Sequence, residues 1–335
     1  MWRNLVIVFV TIVFTSCKTE EEKTQRLSQG MYRAELKVSD TEVLPFNFEV
    51  LDSQHLKVFN ADEIIEVDEI TYTKDSVYIR MPVFQSYLIA KIENDQLKGS
   101  YVKKDLNRVV PFSAEKNSTR FESPKQMKSR DIAGSWETTF SPGVEGEAYI
   151  AKGIFEQNGN RVTGTFRTTT GDYRYLEGII EGDQLKLSTF DGSHAFLFTA
   201  TITDSSMTGM FYSGNHWKEP FEAKFNPDYE LPSAYELTSL NKGYESIAFS
   251  FPDAEGNLVS LSDARFKDKV VIIQIMGTWC PNCLDETKYY TQFHKENKGK
   301  DLEFIALAIE YVKTEEKAFR NIKRLKDHIL SLIHI

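Results

Sequence analysis

Cys280 and Cys283 stand with two residues between them in Trp279-Cys280-Pro281-Asn282-Cys283, directly after the apolar run Val270–Met276 and ahead of a segment with helical periodicity. Two thiols at that spacing can close a small disulfide and reopen it. Placing the first at the mouth of a helix also makes it reactive. A free thiol titrates near ~8.5, and helix N-termini in Cys-x-x-Cys motifs bring that to ~7 or below. The chemistry on offer is thiol–disulfide exchange. Two plainer readings compete with it. A structural zinc site needs four ligands, usually two such pairs or one pair with two histidines. The chain has 3 Cys in all, and His294 has no histidine partner nearby. A pair of inert buried thiols is the other alternative, since free Cys packs as a small hydrophobe.

The elements around the pair have readable patterns. Val270–Met276 is a continuous apolar run, as expected for a strand buried on both faces. A helix is expected from Pro281, with Leu284, Tyr289 or Tyr290, and Phe293 as its apolar face. Proline is tolerated in that first turn because its missing N–H has no partner there. Residues 302–309 form a second apolar strand, and Thr314 caps a second helix whose first turn carries Glu315 and Glu316. That helix is expected to bury Phe319, Ile322, Leu325 and Ile329, spaced by three and four. Ahead of all this, residues 247–251 and 258–261 flank Asp253-Ala254-Glu255-Gly256-Asn257 as a hairpin. The order is βαβα behind a hairpin, the start of a parallel α/β domain.

Residues 249–283, with the hairpin, the apolar strand and Gly277-Thr278-Trp279-Cys280-Pro281-Asn282-Cys283, resemble the TlpA-like branch of the thioredoxin superfamily. These are membrane-tethered, envelope-facing thiol–disulfide oxidoreductases. The resemblance covers roughly residues 245–330. It implies that Cys280 is the nucleophile, Cys283 the resolving thiol and Glu286 an acidic residue that tunes the pair and accepts a proton; a solvated helix carboxylate is the alternative for Glu286. Trp279, by its adjacency, is expected to pack beside the pair and limit water access, with Pro281 sharing the substrate-binding surface, and no cofactor is expected beyond the redox-active Cys280–Cys283 disulfide. The partners it implies are disulfide-containing envelope proteins and a membrane electron-relay protein as reductant. A thioredoxin fold also needs a cis-proline loop, two antiparallel strands and a closing helix after the second helix. Pro281 is the last proline of this chain, and Leu330-Ser331-Leu332-Ile333-His334-Ile335 looks like the in-frame translation of a sequencing-library adapter. The expectation is therefore a C-terminally truncated domain over 245–329 with an artefactual tail at 330–335. Its sheet would keep an open apolar edge.

At the other end, Met1-Trp2-Arg3-Asn4 gives a short positive start and residues 5–14 an apolar stretch. That stretch is too short to span a bilayer, which takes ~20 residues as a helix, but suits a signal-peptide core. Phe14-Thr15-Ser16-Cys17 resembles a bacterial lipobox, which implies lipidation of Cys17 and attachment to a membrane through that lipid. Phe14 replaces the usual leucine, and an ordinary signal peptide with an incidental cysteine is the alternative. Residues 18–29 read as a polar tether. Setting Cys17 aside leaves only the pair 280/283, and an exported, oxidising compartment suits a dithiol switch. The net charge of −9, with no basic stripe, argues against nucleic acid as a partner.

Between the ends lies a β-rich region. Residues 30 to about 226 show short alternating runs with turn signals between them. Ala90-Lys91-Ile92 through Gly99-Ser100-Tyr101 lines up with Ala200-Thr201-Ile202 through Gly209-Met210-Phe211, and residues 75–79 with 183–187. Two related antiparallel modules follow, at 30–114 and 131–226, with polar linkers at 115–130 and 227–244. Asn158-Gly159 marks a tight hairpin turn, and Asp191-Gly192-Ser193-His194 another turn, in which His194 reads as a turn residue. Trp136 and Trp217 read as core or sheet-face aromatics rather than a ligand platform. The functional expectation is a cell-envelope, periplasm-facing oxidoreductase that reduces partner disulfides. The alternative is a lipid-anchored β-domain binding module with an accessory or inactive redox domain.

Overall fold

The computed structural model describes residues 24–122 and 129–329. The expected signal segment with Cys17, and the segment 330–335, lie outside the described residues. Among the described residues no helix is long and apolar enough to cross a membrane.

Alternating strands build two curled sheets. The first has nine strands, and its first and last, Gly30–Lys37 and Arg108–Lys116, lie side by side with Tyr32 opposite Lys116 and Leu36 opposite Phe112. Its two edges, Glu63–Val67 and Glu69–Tyr72, are consecutive strands joined by Asp68 alone and not paired with each other. The second sheet is a closed barrel running from Gly134–Phe140 to Trp217–Phe225, sealed by the pairing of Trp136 with Phe225 through Phe140 with Phe221. Closure removes the sheet edges, and fully buried Phe140, Phe166, Phe198 and Phe221 fill the interior, so the barrel is a packed core.

The two sheets share local geometry. Ala90 faces Gly99 in one and Ala200 faces Gly209 in the other. Ile92 N–H donates to Asp75 O at 2.8 Å, and Ile202 N–H to Asp183 O at 2.8 Å. Both glycines exist for the same reason: a Cβ on Gly99 would lie 1.9 Å from Ile89 O, and one on Gly209 would lie 2.2 Å from Thr199 O.

The modules are fused more tightly than a polar linker suggests. Glu115 and Lys116 belong to the last strand of the first sheet. Arg120, inside the expected linker, is buried and donates to Phe59 O at 2.9 Å, Ser188 O at 2.8 Å and Ser188 Oγ at 3.1 Å, bolting one sheet to the other. Phe190 of the barrel stacks on Phe46 of the first sheet at 4.3 Å, and Ala195 and Leu197 join the same core. The strand Val43–Val50 is consequently buried on both faces where alternation predicts one. The expected tether also packs at its end, with Leu27 buried and the Ser28 hydroxyl 3.0 Å from that of Tyr32. In the hairpin near 158, Asn158 pairs with Arg161, so the two-residue turn is Gly159-Asn160, one position later than expected; Gly159 supplies the positive φ of 62°.

The C-terminal segment forms the hairpin Ser250–Pro252/Leu258–Ser260 and two parallel strands, Val270–Met276 and Leu302–Ala308, in register from Val270↔Leu302 to Met276↔Ala308. The motif helix, Pro281–Glu296, and a second helix, Glu315–Ile329, complete the βαβα order. Leu284, Tyr290 and Phe293 pack toward Phe304, whereas Tyr289 faces solvent. The strand Val270–Met276 is not buried on both faces as expected: Val270 and Ile275 are about two-thirds exposed, at 65% and 67%. Its only sheet partner among the described residues is Leu302–Ala308, which leaves its outer flank uncovered. On the second helix Ile322 and Leu325 are buried as expected, and Phe319 and Ile329 only partly. Val83 and Phe84, from a loop of the first sheet, enter the core formed by Met276, Phe304 and Leu325.

Substituting Gly209 by alanine should lower stability by about 1–3 kcal/mol, because the methyl group meets backbone rather than a movable side chain. Urea unfolding checks this, and an unchanged midpoint would contradict the close approach.

Candidate functional site

The turn between strand and helix sets the motif. Gly277 leaves room for the Trp279 indole, whose Nε1 would lie 2.3 Å from a Cβ at that position. The indole donates to Ile309 O at 2.9 Å and stacks on Tyr311 at 4.5 Å. Thr278 is gripped by the Glu310 carboxylate, which accepts its N–H and its hydroxyl, both at 2.7 Å. The end of the second strand thereby clamps the residues before Cys280. Cys280 is the helix N-cap and Pro281, buried, occupies the first turn. The Cys280 sulfur accepts the Cys283 backbone N–H at 3.2 Å. Cys280 and Cys283 are joined as a disulfide with Cα atoms 5.3 Å apart, and both are half-buried. On reduction, the same N–H and the positive end of the helix favour negative charge on Cys280.

Gln274, the polar member of the apolar strand, is buried beneath Cys283. Its side-chain amide donates to Cys283 O at 3.2 Å and to Glu286 Oε2 at 2.8 Å. The Thr287 hydroxyl lies 2.6 Å from Cys283 O and 3.0 Å from Gln274 Oε1. Glu286 is exposed and its other oxygen accepts from the Tyr290 hydroxyl at 3.1 Å. Glu286 thus touches the pair through Gln274, and no hydrogen bond joins it to either sulfur among the described residues.

The barrel grips the motif from the other side. The Ser193 hydroxyl donates to Trp279 O at 2.8 Å. Arg174, buried, donates to Asn282 Oδ1 at 2.8 Å and Asp285 Oδ2 at 2.7 Å. The same guanidinium binds Glu63 of the first sheet at 2.5 Å and has its Nε 3.4 Å from Asp191. Burial works against the Arg174 charge, but Glu63, Asp191 and Asp285 outweigh it and raise its pKa. Asn282 Nδ2 also donates to Asp172 O at 3.3 Å. The second helix is tied down likewise: Gln85 Nε2 donates to Asn321 Oδ1 at 2.9 Å, and Arg324 pairs with Glu69. His194 sits in its turn, with Nδ1 3.2 Å from Asp191 and its ring stacked on Phe196 at 4.5 Å. Trp136 is core, but Trp217 is half-exposed and lines a cavity with Trp279.

Of the expected site residues, Trp279, Cys280, Pro281 and Cys283 come together, with Glu286 one contact removed. Gln274 carries a visible signal, an amide inside an apolar strand. Arg174 and Ser193 carry none, because they reach the motif only through the packing of distant loops.

Residues 242–331 match the family model described as Redoxin. The thiol-disulfide oxidoreductase ResA of Bacillus thuringiensis subsp. konkukian is 38% identical over 65 residues, 19% of this chain and 36% of that protein. ResA of Bacillus thuringiensis strain Al Hakam is 34% identical over 84 residues, 25% of this chain and 47% of its own length. ResA of Bacillus subtilis is 31% identical over 71 residues, 21% and 38% respectively. The chain thus spans less than half the length of these curated relatives. The segment carrying the disulfide is Redoxin-like, and the relatives' names support an oxidoreductase.

Replacing Arg174 by methionine leaves the Glu63 and Asp191 carboxylates buried without their cation and should cost about 3–5 kcal/mol, with partial recovery on adding Glu63→Gln. A loss below about 1 kcal/mol in denaturant unfolding would contradict the buried cluster. Lys103, half-buried near this junction, is pushed down to about 8 by burial, against the opposing pull of Asp191. Between that value and the ordinary lysine pKa of ~10.4 the unfolded chain holds more protons, so this group makes stability rise with pH across the window. The wild-type protein should gain stability from pH 8 to 10 relative to Lys103→Met; parallel profiles would contradict it.

Proposed function

We propose that this chain, whose C-terminal segment is Redoxin-like, is a cell-envelope thiol–disulfide oxidoreductase that reduces disulfides of partner proteins. The observation that carries this reading is the Cys280 sulfur at the helix entrance, accepting the Cys283 N–H at 3.2 Å and bonded to Cys283. In the reduced protein the Cys280 thiolate attacks one sulfur of a partner disulfide. The partner's S–S bond breaks, a mixed disulfide forms and the departing partner sulfur takes up a proton. The Cys283 thiol loses its proton and attacks the Cys280 sulfur. The second partner thiolate leaves, and the Cys280–Cys283 disulfide is regenerated. Two electrons pass to the partner, and an upstream dithiol protein at the membrane restores the reduced pair.

Glu286 is the proposed acceptor of the Cys283 proton, relayed through water beside Gln274. Trp279 and Pro281 are proposed to form part of the partner-facing surface, and no further cofactor is invoked. Export and a lipid on Cys17 rest on the apolar stretch at 5–14 and on Phe14-Thr15-Ser16-Cys17. The β-sheets take part in the same function, because Ser193 and Arg174 hold the motif from the barrel side.

Insulin-disulfide reduction with a chemical dithiol as electron source tests the reading. Cys280→Ser should fall to background, and Cys283→Ala should accumulate mixed disulfides that dithiothreitol releases. Turnover independent of Cys280 would sink the proposal.

A further inference from the structure

A cavity of about 550 Å³ opens between the barrel mouth and the motif. Tyr173, Phe196, Phe211 and Trp217 line it from the barrel, and Trp279 and Tyr311 from the redox segment. Its size and aromatic lining match those of ligand sites, which run ~300–1,000 Å³ with few polar groups. Its cations are Lys103 and Arg108 of the first sheet, and His194 and His216 also line it. Arg108 is half-buried and, among the described residues, makes neither an ion pair nor a side-chain hydrogen bond. Two carboxylates, Asp105 and Glu310, also line it, and the buried Asp191 acts on Lys103 from nearby. Glu310 is occupied by Thr278, and Asp105 is exposed and pairs with neither cation. Partial shielding from water, then Arg108 and Lys103, drive His216 down to about 4. Lys103 Nζ donates to Ser193 O at 2.7 Å, and the Ser193 hydroxyl donates to Trp279 O at 2.8 Å. Ser193 therefore links Lys103 to the motif.

We infer that this cavity docks a polypeptide segment of the disulfide-bearing partner, one that carries an aromatic side chain and a carboxylate beside the cysteine to be exchanged. The inference rests on the redox reading and names its substrate class. A polypeptide is favoured because the Trp279 indole walls the cavity and is covalently next to Cys280. Trp279 lines the cavity beside Cys280 in sequence, so an extended chain, advancing ~3.3 Å per residue, can seat a residue there while presenting a nearby cysteine to Cys280. The aromatic walls take the ring, and Arg108 and Lys103 take the carboxylate.

Binding is measured by calorimetry on the full chain with blocked pentapeptides in which serine replaces cysteine, so that no redox step is involved. One peptide has phenylalanine before the serine and glutamate after it, a second has lysine for glutamate, and a third has alanine for phenylalanine. The first should bind at least about tenfold tighter than either of the others at low salt. Arg108→Gln and, independently, Lys103→Gln should erase most of the glutamate-over-lysine ratio. Trp217→Ala should erase most of the phenylalanine-over-alanine ratio. Absence of binding, or equal affinity for all three peptides in the wild-type protein, would overturn the inference. So would phenylacetate binding as tightly as the first peptide. Reduction of the corresponding cysteine-containing peptide disulfides is read separately. Peptide discrimination without Cys280-dependent turnover removes the redox reading and leaves the docking site standing. Turnover without discrimination removes the docking site alone.

Discussion

One backbone N–H, that of Cys283, must point at one sulfur, that of Cys280, and most of the surrounding structure serves that alignment. Glu310 fixes Thr278, while Ile309, Tyr311 and Ser193 fix Trp279. Arg174 holds Asn282, and Gln274 and Thr287 hold the Cys283 carbonyl. Together these contacts restrain Thr278, Trp279, Asn282 and Cys283, so the turn has little freedom left when the disulfide opens. That is preorganisation by hydrogen bonds in a half-buried setting, where such bonds are stronger than in water.

The β-sheets are structural partners of the redox segment. A two-stranded parallel sheet with two helices has little core of its own, and Val83 and Phe84 of the first sheet supply part of it. Arg174 joins Glu63, Asp191 and Asp285, which belong to the first sheet, the barrel and the motif helix. A buried ionic cluster gives little net stability once desolvation is counted. Its effect here is to fix register: a shifted docking of the three units would strand the Arg174 cation away from its carboxylates.

Legibility from sequence follows the range of the interactions. The Cys-x-x-Cys pair, its strand and helix, and the parallel order are local patterns and read directly. The equivalent Gly99 and Gly209 carry a repeat signal because a close backbone approach admits no side chain. What does not read is whatever depends on packing between distant segments. Arg120 looks like a linker charge yet is bolted between sheets, and Val43–Val50 gives no hint that its second face meets Phe190. Ser193 and Arg174 sit in connections between barrel strands, and their roles arise only when the barrel mouth meets residues 279–285. Tyr289 and Tyr290 are adjacent on one helix, and the docking angle of that helix alone decides that Tyr290 packs inward.

The activation of Cys280 is electrostatic, and a thiol titration of the reduced protein reads it. With Cys283 replaced by serine to isolate the first sulfur, thiolate absorbance or alkylation rate followed against pH reads the Cys280 pKa. A helix-entrance cysteine receiving a backbone N–H should titrate near ~7 or below. A midpoint at the ordinary ~8.5 would mean that the alignment of Cys283 N–H with Cys280 does not activate the sulfur, contradicting exchange through an activated Cys280.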